Sequence, residues 1–161
     1  MTEASKQRYL IAVGSNMRVP GIGGPRQVVE TAVAALATES LDVLAASPVI
    51  DSAPVGPSRR RYANAAVVVE TLRDPPALLG VLQAIEHAFG RKRQGAPWRA
   101  RQLDLDIVLW SGGFWLGSGL TVPHPRFRER PFVLVPAAQV APNWRDPASS
   151  LTLRQLAARV S

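Results

Sequence analysis

Arg101-Gln-Leu-Asp-Leu-Asp-Ile-Val-Leu-Trp110 alternates at a period of two, with Leu103, Leu105, Ile107 and Leu109 interleaving with Asp104 and Asp106. Such alternation reads as a β-strand. Successive side chains on a strand point to opposite faces, so Asp104 and Asp106 are expected on one face and the four aliphatic residues on the other. At about 3.3 Å rise per residue, the two aspartates lie roughly 6–7 Å apart at the Cα level, close enough to bridge one or two hard cations. An Asp-x-Asp on a strand can also be a plain solvated face, or be neutralised by Arg99 or Arg101 as ordinary ion pairs. Arg91, Arg93, Arg99 and Arg101 crowd its N-terminal side. Carboxylates beside clustered arginines suggest metal-bound polyphosphate.

Working outward, Arg8–Val13 is a short apolar strand ended by Gly14-Ser15-Asn16, and Met17–Pro25 is a glycine-rich flexible loop. Arg26–Ala37 carries apolar residues at helical spacing. Leu41–Ile50 reads as a second strand, Ser52–Ser58 as a loop, and Ala65–Thr71 as a third strand. Asp74-Pro75-Pro76 opens a second helix with an N-cap and proline in the first turn, and Gly90 closes it. After the Asp104 strand come a glycine-rich connection (Ser111–Gly119), a rigid Pro123-His124-Pro125 turn, a short helical turn (Arg126–Arg130), a short apolar segment (Phe132–Pro136) and a final helix (Leu151–Val160). The order β-α-β-β-α-β with C-terminal additions is an α+β, ferredoxin-like arrangement: an antiparallel sheet with helices packed on one face. Residues 1–161 are expected to form a single domain.

Composition sets outer bounds. The 161 residues are 47% hydrophobic and 19% charged, ordinary for a globular protein. The absence of cysteine excludes disulfides and thiolate metal sites. No apolar run approaches the roughly 18–20 residues of a membrane span, and Met1-Thr-Glu-Ala-Ser-Lys6 lacks a signal-peptide pattern, so a cytoplasmic protein is expected. The net charge of +7 is mostly arginine, which grips phosphate oxygens bidentately. Nucleotide and nucleic acid both fit that charge. Trp98, Phe127 and Phe132, close to arginines, keep a nucleic-acid partner open at this point.

Six segments carry the polar or rigid features that could meet at one end of the sheet: Gly14-Ser-Asn16, Pro54-Val-Gly-Pro57, Tyr62-Ala-Asn64, Gly90-Arg-Lys-Arg93, Leu103-Asp-Leu-Asp106 and Pro123-His-Pro-Arg-Phe-Arg-Glu-Arg-Pro-Phe132. In this order and spacing, from about Tyr9 to Pro142, the set closely resembles the 6-hydroxymethyl-7,8-dihydropterin pyrophosphokinases of folate biosynthesis. The resemblance implies transfer of the β,γ-pyrophosphoryl group of ATP to the pterin hydroxymethyl oxygen, with release of AMP. It implies two Mg²⁺ ions held by Asp104 and Asp106 together with the triphosphate. Arg91 and Arg101 are then catalytic phosphate partners. Gln83, Glu86, Arg93, Trp98, Ile107, Thr121, His124 and Arg130 fall at ATP-binding positions. Ser52, Ala53, Val55, Tyr62, Asn64 and Phe132, with Trp98 again, fall at pterin-binding positions. The expected protein is a monomer whose partners are its two small-molecule substrates, with no nucleic acid and no membrane.

Each assignment has a plainer competitor. The plainer reading makes the arginines solvated loop residues, Trp98 a packing anchor, His124 a turn residue, Gln83 and Glu86 a polar helix face, and Tyr62 core. His87 has no such context and reads as surface. The chain also departs from the family pattern. Pro97 and Gly119 stand where some members carry arginine, and Arg99-Ala-Arg101 replaces the usual Gly-Pro-Arg. These changes touch loop closure and phosphate affinity and leave the aspartate pair intact. A nucleotide-binding relative without turnover is one alternative reading. A ferredoxin-like RNA-binding module is another, and it would need exposed aromatics on its central strands. Those positions here are mostly Val, Ala and Leu.

Overall fold

Strand β1 (Gln7–Ser15) is the spine of the sheet, paired on both sides. The computed structural model describes residues 5–38, 41–52, 61–90, 102–117 and 119–160. β1 runs antiparallel to β4 (Tyr62–Thr71) on one flank and to β5 (Asp104–Trp110) on the other. β2 (Asp42–Ala46) and β3 (Ile50–Ser52) follow one another along the far side of β4, giving the order β2-β4-β1-β5 with β3 beside β4. Every pairing among the described residues of this sheet is antiparallel. β4 is buried over most of its length, as its Ala-Ala-Val-Val-Val run requires of a central strand.

The expected single strand over Leu41–Ile50 is two strands, broken at Ser47-Pro48. Proline has no N–H for the ladder. Ser47 makes up the pairing: its N–H donates to Ala66 O (2.9 Å) and its Oγ accepts from Ala66 N–H (2.9 Å). β1 and β4 also extend past their expected limits, to Ser15 and back to Tyr62. The glycine-rich segment after β1 is a closed turn, in which Val19 bridges Gly23 and buries its side chain.

Helix α1 (Pro25–Ala37) buries Val28, Val29, Ala32 and Leu36. Helix α2 (Pro75–Ala88) buries Leu78, Leu82, Ile85 and Glu86, and the Asp74 carboxylate caps it by accepting Ala77 N–H (3.0 Å). Both pack on the sheet face that carries Tyr9, Ile11 and Val13. The expectation of helices on one face alone does not hold. Helices α3 (Pro131–Val140) and α4 (Leu153–Val160) cover part of the opposite face, around Leu10, Ala66, Val68 and Leu109. The apolar run Phe132–Pro136 is thus the start of a helix. Pro131 at its first position suits helix entry. Its apolar residues are not confined to one stripe, so no helical period shows in the sequence.

β5 departs from the strict alternation expected of it. A bulge shifts the β1–β5 register between Leu10 and Ile11. Leu103, Leu105 and Ile107 face α1 and α2, but Leu109 lies on the other face with α3. The Ser111–Gly119 connection is not all loop: it contains β6 (Trp115–Gly117), which forms a hairpin with β7 (Leu120–Val122). Trp115 packs edge-on against Trp110, with ring centroids 5.8 Å apart. Beyond the hairpin, a 3₁₀ turn (Phe127–Glu129) presents Arg128, which clamps the fully buried Asp146 through Nε (2.6 Å) and Nη2 (2.7 Å).

Candidate active site

Register fixes what stands beside the two aspartates. Asp104 pairs with Gly14 on β1, and Gly14 pairs with Asn64 on β4. Directly paired residues share a face, so Asp104, Gly14 and Asn64 form one row across three strands. The next row is Asp106, Ala12 and Ala66. Tyr62 and Ser52 lie on the same face, paired with each other at the start of β4. This face is the one α3 and α4 cover further along, so the aspartates occupy its uncovered end. Asp106 is exposed and Asp104 half-buried. Their row neighbours in β1 are glycine and alanine, so the floor between carboxylates and amide carries almost no side chain.

Gly14 contributes by what it lacks. A Cβ there would sit 3.0 Å from Asn64 Oδ1, so the bare backbone lets the amide lie across β1. Asn64 is buried, and its Nδ2 donates to Ser52 Oγ (3.1 Å). The adjacent Ser15 donates its Oγ–H to Gln102 O (2.5 Å), tying β1 to the residue two before Asp104. Neither Gly14 nor Ser15 carries a role in the sequence reading. The Gly-Ser-Asn signal is visible there, but only strand register shows which side chains it separates.

A second group approaches from the far side of β5. His124 N–H donates to Val108 O (3.0 Å), seating the histidine against the bulge. Its Nδ1 accepts Arg126 N–H (3.1 Å), which leaves the neutral ring's proton on Nε2. Burial pushes this imidazole below its usual range. The Asp106 carboxylate opposes that, and the Arg130 and Arg126 guanidiniums push it further down. At neutral pH it is an uncharged donor between an aspartate and two arginines. Arg130 lies over the Phe132 ring, 5.7 Å from its centroid. Phe132 packs half-buried against the α3–α4 side of the core.

The remaining expected positions divide. Tyr62 is half-buried and outside both apolar clusters, so it is not core. Gln83 is exposed on α2. Glu86 is buried, and its Oε2 accepts Leu105 N–H (2.8 Å), between the two aspartates; the polar-helix-face reading does not describe it. The Ile107 side chain faces α1 and α2, opposite the carboxylates, so only its backbone can serve the site. Thr121 is exposed on β7. Arg91, Arg93, Trp98, Arg101, Ala53 and Val55 lie outside the described residues, as does Pro97.

Among the described residues, no group of three or more His, Asp, Glu or Cys side chains is arranged to hold a metal. Two carboxylates on one open face suit Mg²⁺ that takes its other ligands from water and substrate phosphates, and do not suit an all-protein cage. The donor set fits that use. The sheet face that an RNA-binding module would expose is aliphatic on β1 and β4 and lies partly under α3 and α4. No helix among the described residues is long and apolar enough to cross a membrane.

Comparison with known proteins bears on this geometry. The family model for 7,8-dihydro-6-hydroxymethylpterin-pyrophosphokinase matches residues 10–142. The 2-amino-4-hydroxy-6-hydroxymethyldihydropteridine pyrophosphokinase of Synechocystis sp. is 38% identical over 152 residues, covering 94% of this chain and 75% of that protein. Its Pseudomonas aeruginosa namesake is 37% identical over 143 residues, covering 88% and 85%. That of Bacillus subtilis is 36% identical over 152 residues, covering 93% and 87%. Among solved structures, wild-type HPPK-DHPS of Plasmodium falciparum with pteroate aligns at a TM-score of 0.72 and 14% identity, a likeness of fold. That alignment covers 99% of this chain but spans only 43% of the Plasmodium chain.

Proposed function

The chain belongs to the 7,8-dihydro-6-hydroxymethylpterin-pyrophosphokinase family, and from that premise we propose that it transfers pyrophosphate from ATP to the hydroxymethyl group of 6-hydroxymethyl-7,8-dihydropterin, releasing AMP, in folate biosynthesis. The observation that carries this reading is the row Asp104–Gly14–Asn64. It sets a carboxylate suited to metal-bound phosphate two strands away from an amide suited to a pterin edge, over a bare glycine. At about 4.8 Å per strand, the two ends are roughly 10 Å apart at the Cα level, the span of a pterin ring and its hydroxymethyl arm.

Within the reading, Asp104 and Asp106 hold two Mg²⁺ with ATP. Bound there, Mg²⁺ supplies charge neutralisation on the triphosphate and acidifies the attacking hydroxyl. His124 Nε2–H and the Arg130 guanidinium donate to ATP, with Gln83 and Thr121 and the Ile107 backbone on the nucleotide side; the Glu86 carboxylate, expected at the same site, is turned to the Leu105 N–H. Asn64 offers both a donor and an acceptor to the pterin edge, Ser52 orients Asn64, and Tyr62 and Phe132 supply aromatic faces. Arg91, Arg93, Arg101, Trp98, Ala53 and Val55 enter on resemblance alone. Pairing the acceptor hydroxyl with the β-phosphorus in line is chiefly a matter of positioning and charge. We read the strand order as the ferredoxin-like arrangement, and the chain as a single cytoplasmic, monomeric domain over 1–161.

The test is AMP release from Mg·ATP with and without the pterin. Pterin-dependent AMP is expected. ATP binding without pterin-dependent AMP at saturating substrates would make the chain the nucleotide-binding relative that has lost turnover.

A further inference from the structure

Leu105 stands between the two aspartates, and its side chain is buried under α2. Among the described residues β5 is an edge strand, with β1 on one side and no strand on the other. In an antiparallel pair, alternate residues turn their N–H toward the partner strand. Leu105 turns its N–H outward, and β1 cannot receive it. Glu86, in the last turn of α2, takes it on Oε2 at 2.8 Å. Glu86 is itself only 5% exposed, in a helix whose neighbouring positions 83, 84 and 87 are exposed. An unpaired edge N–H at this depth is costly, and Glu86 supplies its acceptor.

The geometry points to Glu86 as a positioning residue. Its carboxylate pins the peptide between Asp104 and Asp106 from the outer edge, while β1 holds the two aspartates from the inner edge, and the pair of pins sets the spacing of the two carboxylates. Glu86 thereby tunes the affinity of this pair for divalent cations without touching one. The inference rests on the reading of Asp104 and Asp106 as the cation ligands. It differs from an ATP-contact role at this position, because the bond runs to the strand backbone.

The experiment titrates Mn²⁺, as a spectroscopic stand-in for Mg²⁺, into the full chain bound to a non-hydrolysable ATP analogue, with no pterin present. Glu86→Gln keeps an oxygen acceptor for Leu105 N–H, and Glu86→Leu removes it. Glu86→Leu is expected to weaken Mn²⁺ binding by about tenfold, the scale seen for groups that orient metal ligands, with Glu86→Gln within about threefold of the parent. The analogue's metal-free affinity is expected to be unchanged in both. Equal Mn²⁺ affinity in parent and Glu86→Leu overturns the inference, as does equal weakening in both variants. Loss of metal-free nucleotide affinity in both also overturns it, in favour of direct contact. Asp104→Asn is the control. If it binds Mn²⁺ like the parent, the metal-site reading fails first and separately.

Discussion

At the scale of single residues, Asp106 is exposed on β5, where a surface carboxylate adds little to stability. Replacing it by Asn is therefore expected to leave the metal-free melting temperature unchanged, while kcat falls by about 10²-fold or more, the scale of losing one electrostatic contact to the reacting group. Thermal melts and steady-state kinetics check both halves. A variant with parental kcat would show that the Asp104–Asp106 pair is not the metal site. Gly14 gives a second residue-scale prediction. Its backbone is extended, so Gly14→Ala adds only a methyl, 3.0 Å from Asn64 Oδ1. The expected result is a raised KM for the pterin with the KM for ATP unchanged.

Among elements, β2 and β3 are held apart by one serine. Ser47→Ala leaves the Ala66 N–H buried without its acceptor, at a cost of about 1–3 kcal/mol. Chemical denaturation should show that loss, with an unchanged slope against denaturant. Legibility in the sequence obeys the same physics. Strands β1, β4 and β5 and helices α1 and α2 announce themselves because each has one periodic apolar face or a strong cap. The break at Ser47-Pro48 is hidden because Leu41–Ile50 keeps its apolar content across it, and only the lost N–H of Pro48 marks it. α3 is hidden because a helix with little polar surface shows no stripe. Leu109 defeats the pattern because a one-residue bulge reverses alternation without changing composition. In the site, the aspartates, Asn64, His124 and Arg130 are readable as motif residues. The bond from Glu86 to Leu105, and Gly14's place between Asn64 and Asp104, depend on helix-to-strand docking and cross-strand register, which no local spacing encodes.

For the whole molecule, stability and chemistry occupy opposite ends of one sheet face: α3 and α4 close one end, and the aspartates, Asn64 and His124 lie at the open one. The C-terminal cover is tied down by Asp146. Burial raises that carboxyl's pKa, but Arg128, the Ser149 hydroxyl and the Ala148 N–H together outweigh it and hold the group at about 2. A carboxyl depressed from near 3.9 in the unfolded chain contributes stability that is complete above about pH 5 and is lost as pH falls toward 2, about 2 kcal/mol in all. Asp146→Asn should melt earlier than the parent at pH 7, and the gap should narrow as the pH is lowered below 4. The reaction expected of the open face joins pyrophosphate to a pterin hydroxyl by attack at the β-phosphorus of ATP. Phosphorus NMR of the protein with Mg·ATP and 6-hydroxymethyl-7,8-dihydropterin tests it most directly. The predicted spectrum gains AMP and a pterin diphosphate ester in equal amounts; ADP with a pterin monophosphate, or ATP left unchanged, would contradict it.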